Sequence, residues 1–172
     1  PPATALEFAG AVESGASLAL WARRAAGVDG TAWALLRRVP LDRRPEADAE
    51  GWAELEPRVR EERLRRRRRI LSRIEGDSVS ATVWLWRLGD ALLLAGPNEA
   101  YSLLQRELRR RLHPHPVLVG NIVNGPYLGY LPDQAAFERG GDTYQVWQSP
   151  FARGSLERLI DGAAEAIEGG PD

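Results

Sequence analysis

Cysteine is absent from the 172 residues. That excludes a disulfide framework, a thiolate nucleophile and a cysteine-based metal site, and it leaves the redox compartment open. Lysine is absent too, so every basic side chain apart from histidine is arginine. Neither a Schiff-base lysine nor a phosphate-loop lysine can operate. The only histidines are His113 and His115, in one short loop, so a Ser-His-Asp triad would have to use one of them. No apolar run approaches the roughly 18 residues of a membrane-crossing helix. Neither charge sign dominates: the net charge is −1, which gives no global steering toward nucleic acid or membrane. The hydrophobic fraction of 44% is enough for a core, and the length suits one domain or one lobe of a larger one. The chain starts at Pro1 without a signal-like apolar stretch. It reads as a fragment or processed product, with its localisation undetermined.

Residues 1–76 read as a helical region with a short strand, and residues 77–172 as the region that carries the chemistry. Between residues 4 and 26, Leu6, Ala9, Val12, Ala16 and Leu20 recur at near-helical spacing. TAWALLRRVPL (31–41) reads as extended, with Trp33, Leu35 and Arg37 on one side, and Pro40 marks it as an edge strand or a strand end. LDRRPEADAE follows as a polar linker. The longest helical stretch spans 46–75, with Trp52, Leu55 and Val59 at helical spacing, as are Ile70 and Ile74. Pro57 is best placed as the first residue of a second helix. This stretch contains RLRRRRR (63–69). A phosphate-binding stripe is one reading. A solvated helix face balanced by Glu54, Glu56, Glu61 and Glu62 is the other, and it is preferred, because the acids can pair at i,i+4 and no aromatics are interleaved to stack bases.

GDS opens a β region. VSATVWLWRL (79–88) alternates, with Val83 and Leu85 on one face and Trp84 and Trp86 on the other. Gly89-Asp90 then turns the chain into ALLLAG, which predicts a hairpin. GPNE leads into a helix over 99–112, where Leu104, Leu108 and Leu112 recur every four residues, and HPHP ends it. PVLVGNIV is a second short strand, over 117–122. A final helix runs from about Ser155 to Ile167, with Leu156, Leu159, Ile160, Ala163 and Ile167 as its apolar face. The fold class is therefore α/β: a mixed sheet in which a hairpin leads into a βαβ unit, flanked by helices.

A βαβ unit has parallel strands, so the loops leaving their carboxyl ends lie at one edge of the sheet, where ligands bind in open α/β folds. GPNE is one such loop and NGPYLGY the other. Glu99 and the tyrosines are thus expected to converge. Each also has an ordinary explanation. A carboxylate in a first helical turn gains roughly 0.3–1 kcal/mol from the helix dipole, and Tyr127 and Tyr130 can serve as packing residues with a hydrogen-bonded hydroxyl. Asn124-Gly125 and Gly140-Gly141 read as turns. A His-x-His metal pair at His113 and His115 lacks a third histidine or cysteine.

LWRLGDALLLAGPNEAYSLLQRELRRRL, followed by VLVGNIVNGPYLGYLPDQAAFERGG, resembles the C-terminal half of the catalytic domain of neutral/alkaline non-lysosomal ceramidases. The match covers roughly residues 79 to 141, as several short motifs in the family's order. The resemblance implies a zinc amidohydrolase that cleaves the N-acyl bond of a ceramide-like lipid amide, and a lobe of a larger domain. In that family two histidines from the N-terminal half, together with a Glu and a Tyr from this half, hold the zinc. The Glu of Pro-Gly-Glu corresponds to Glu99 in Pro97-Asn98-Glu99, and the Tyr corresponds to Tyr130 in Gly129-Tyr130. Asn124, Tyr127 and Tyr144 are then substrate-pocket candidates.

The sequence departs from the family at three points. Asn98 stands where the family has Gly. Asp142 follows Gly140-Gly141 where the family has a Tyr thought to stabilise the oxyanion, so Tyr144 could take that role only through a two-residue shift. The N-terminal half with its two histidines is missing from the chain, so these residues alone are not expected to hold zinc or to be catalytically competent. The expected partners are a lipid amide substrate and that N-terminal half, with no nucleic acid and no transmembrane segment. A non-catalytic relative of the same fold and an Arg-rich binding module are the alternatives.

Overall fold

The computed structural model describes residues 32–45, 52–121, 129–139 and 143–170. The helix expected over 4–26 lies outside the described residues, as do Asn124, Tyr127, Asp142 and the Gly140-Gly141 pair.

Strand β1 (Ala32–Asp42) pairs antiparallel with β2 (Ser78–Leu88) along its whole length, from Ala32 opposite Leu88 to Asp42 opposite Ser78. β2 turns through Gly89-Asp90 into β3 (Ala91–Ala95), with Leu88 opposite Ala91. Gly89 has φ +58°, the positive φ that two-residue hairpin turns demand and glycine supplies without strain. β3 then pairs in parallel with β5 (Val117–Gly120), Leu92 opposite Val117. Helix α2 (Leu103–Arg111) makes the crossover that a parallel pair requires. The sheet order is β1-β2-β3-β5. The α/β architecture, the hairpin and the parallel βαβ pair all follow the sequence reading. β1 is an edge strand, where Pro40, having no N–H to donate, removes no interior ladder bond.

Alternation sorts the strand side chains. Val39, Leu41, Val83, Leu85, Leu92 and Leu94 point into the main core, while Trp84, Trp86, Ala34 and Ala95 form a cluster on the opposite face. The main core is closed by α2, through Leu104 and Leu108, and by α5 (Ser155–Gly169), through Leu156, Leu159, Ile160 and Ala163. α5 approaches β1 closely at Gly162, where an added Cβ would stand 2.9 Å from Val39 Cγ2.

The region before β2 departs from expectation. The stretch at 46–75 contains, among the described residues, a 3-10 turn (Trp52–Glu54) and one α-helix, α1 (Pro57–Leu71). Pro57 does open that helix. Glu56 caps it, its carboxylate accepting from the N–H groups of Arg58 and Val59, so Leu55 and Val59 do not share a helix. Ile74 lies beyond the end of α1. Within the expected polar linker, Arg44 is buried: it donates to the Val146 carbonyl at 2.7 Å and stacks over Phe137 of the short helix α3 (Gln134–Glu138). No helix among the described residues is long and apolar enough to cross a membrane.

Candidate functional site

Glu99 is not in the first turn of a helix, contrary to the reading of the sequence. Glu99–Ala100 form a short strand, β4, and α2 begins only at Leu103. β4 pairs in parallel with β6 (Tyr130–Leu131), with Glu99 opposite Tyr130 and Ala100 opposite Leu131. The Glu99 N–H donates to the Gly129 carbonyl at 3.2 Å, and the Tyr101 N–H to the Leu131 carbonyl at 3.1 Å. This pairing holds Glu99 and Ala100 in extended backbone, so the helix starts about one turn later than the spacing predicts. The helix-dipole explanation for Glu99 therefore falls away.

Side chains on a strand alternate between faces, and directly opposed residues share one. Leu131 is fully buried and Ala100 packs against the main core. Glu99 and Tyr130, one position earlier on each strand, therefore lie on the other face, both half-buried. Gly129 makes the approach possible: its φ is +102°, and a Cβ there would stand 3.2 Å from Pro150 Cδ. A glycine directly before the tyrosine is thus required by backbone conformation and by space. The Ser149 hydroxyl donates to the Tyr130 carbonyl at 2.9 Å and ties β6 to the segment after helix α4 (Tyr144–Gln148).

Tyr144, at the start of α4, packs edge-on against Tyr130 with ring centroids 5.8 Å apart. Trp147, one helical turn later, packs edge-on against Tyr144 at 5.5 Å and against Trp52 at 6.3 Å. Arg63 lies over both tryptophans and Arg67 over Trp52 at 4.5 Å. A line of aromatic rings thus runs from Tyr130 to Trp52, on which Arg63 and Arg67 of α1 lie. Sequence reading placed Trp52 on a helical stripe and Arg63 and Arg67 in the arginine run, but linked none of them to the tyrosines and did not single out Trp147. The available signals were the i,i+3 spacing of Tyr144 and Trp147 and the i,i+4 spacing of Arg63 and Arg67. The solvated-face reading of the arginine run is met at Arg65 and Arg66 in that both are exposed and pair with Glu62. It does not hold for Arg67, which is 2% exposed.

The site brings together Glu99, Tyr130 and Tyr144 of the expected residues. A carboxylate oxygen and a phenol oxygen on one face are two oxygen donors. Among the described residues no group of three or more His, Cys, Asp and Glu could hold a metal ion. His115 is occupied differently, its Nδ1 lying 3.1 Å from the Asp90 carbonyl. No family model, curated protein or solved structure matches the chain.

Proposed function

We propose that this chain is the C-terminal portion of a ceramidase-like, zinc-dependent amidohydrolase acting on the N-acyl bond of a lipid amide. The observation that carries this reading is the register of β4 with β6, which sets Glu99 directly opposite Tyr130. The family resemblance names the same two residues as metal ligands, although thirty other residues separate them in the sequence.

In this reading Glu99 contributes a carboxylate oxygen and Tyr130 a phenolate oxygen, and two imidazoles from outside this chain complete the shell. Zinc held there supplies Lewis-acid polarisation of the amide carbonyl and a water whose pKa is lowered to about 7. Tyr130 needs a neighbouring cation to lose its proton, so its role as an anionic ligand is linked to metal binding. Tyr144 is the candidate donor to the oxygen that gains charge as the amide is attacked. Its ring is held against Tyr130 and it is 48% exposed, so the phenol borders the site. Asp142, a carboxylate, would repel that charge and is not assigned the role.

The test is zinc content of the complete gene product, measured for the unaltered protein, Glu99→Ala and Tyr130→Phe. The expected result is one zinc per chain, falling by tenfold or more (on the order of the loss of one ligand) in each variant while the fold is retained. Unchanged zinc content in Glu99→Ala would overturn the assignment.

A further inference from the structure

Helix α1 carries eight arginines against Glu61 and Glu62, in a chain whose net charge is −1. The fold accounts for some of them. Arg67 is buried on Trp52, and Arg63 stacks on Trp52 and Trp147. Arg68 and Arg69, in the last turn, gain from the helix dipole. None of this explains why Arg65, Arg66 and Arg69 converge on one hollow of about 540 Å³, lined also by Glu62, Ile70 and Gln148. Arg65 and Arg69 stand at i,i+4 and Arg66 and Arg69 at i,i+3, so they share a face where like charges repel. Among the described residues Glu62 is the only carboxylate lining the hollow, and it is already hydrogen-bonded to Arg65 and Arg66. Arg66 spends its Nε on that carboxylate and Arg65 one terminal nitrogen, which leaves most of their N–H donors available.

We propose that this hollow is a binding site for a phosphate group. Arg65, Arg66 and Arg69 donate to its oxygens, the Gln148 amide faces the same space from α4, and Ile70 provides an apolar wall. A phosphate suits the site better than a carboxylate, because three acceptor oxygens and up to two negative charges match several guanidinium forks at once. The phosphate can belong to a soluble phosphate ester or to the headgroup of an anionic phospholipid. A nucleic-acid strand fits less well: the neighbouring Trp52 and Trp147 are buried and packed on each other, so neither offers a face on which bases could stack. Nothing in the proposal depends on Glu99 or Tyr130.

The experiment has two arms on the full chain at low salt: calorimetric titration with inorganic pyrophosphate, and co-sedimentation with phosphatidylcholine vesicles with and without phosphatidylglycerol. Saturable binding is expected in at least one arm, and the arm that binds identifies the source of the phosphate. Arg65→Gln and Arg69→Gln should each weaken it on the order of tenfold. The double variant Arg60→Gln with Arg68→Gln removes two exposed charges outside the hollow and should weaken binding by less than about threefold. Circular dichroism checks that each variant keeps its helix. No saturable binding in either arm would overturn the proposal. So would an equal loss in the control variant, or tighter binding of a single-stranded oligodeoxynucleotide with a steep salt dependence.

Discussion

Asn98, Glu99 and Ala100 are consecutive residues with alternating destinations. Asn98 is 3% exposed, and neither its amide oxygen nor its amide nitrogen has a hydrogen-bond partner among the described residues. It lines a small cavity together with Ala81, Val83, Leu94 and Leu159 of the main core. Glu99 lies on the opposite face with Tyr130, its partner in register, and Ala100 returns to the core. A charge at Asn98 would be buried without a counter-charge, which costs about 3–5 kcal/mol. Asn98→Asp is therefore expected to lose that much stability in urea denaturation at pH 7, and to recover part of it at pH 4 as the new carboxyl protonates. A loss below about 1 kcal/mol would show that the site is wetter than its burial implies.

At the scale of elements, two contacts set how the helices sit. α5 packs on β1 through Gly162, against the stiff, buried side chain of Val39. Alanine there gains about 1 kcal/mol of helix propensity but forces an overpacked contact that costs about 1–3 kcal/mol. Gly162→Ala is expected to be net destabilising by about 1 kcal/mol in chemical denaturation, opposite in sign to the same change at an open helical position. On α1, hydrogen bonds from Arg66 and then Arg65 hold the Glu62 carboxyl below its ordinary value of 4.5. On α2, a hydrogen bond from Arg110 does the same for Glu107. A carboxyl with a depressed folded-state pKa contributes in full above its unfolded value, and that contribution is lost as pH falls through the folded value. Thermal stability should therefore fall in acid, below the ordinary carboxylate range, and Glu62→Gln should flatten that fall. The same slope in the variant would assign the acid sensitivity elsewhere. Both carboxyls are partly open to solvent, so the effect is small and screened by salt.

Across the whole molecule, the first and second halves are not separate layers. β1, from the first, forms the longest ladder of the sheet with β2, from the second. Arg44 and Arg63 from the first half reach the helices that follow β6: Arg44 donates to the Val146 carbonyl and lies over Phe137, and Arg63 lies over Trp147. The hairpin was legible because period-two alternation is local: Val83 and Leu85 against Trp84 and Trp86 can be read from four residues. α5 was legible for the same reason, with its apolar positions at helical spacing. The convergence of Glu99 with Tyr130 was legible only in outline, from the rule that loops after parallel strands share an edge. Its form, a strand pair rather than a helix start facing a loop, was not. Glu99 and Ala100 both favour helix locally, and that preference is overridden by strand pairing with residues about thirty positions away.

By itself the sequence determined the α/β class, the hairpin, the parallel crossover and the faces of α2 and α5, because hydrophobic period and turn chemistry act over a few residues. It also determined the chemistry excluded by the lack of cysteine and lysine. The tertiary structure alone decided the register that opposes Glu99 and Tyr130, the need for glycine at 129, the burial of Arg44 and Arg67, and the gathering of Arg65, Arg66 and Arg69 around one hollow. These rest on contacts between segments far apart in the chain, and no local pattern encodes which distant partner a backbone group or a guanidinium will meet.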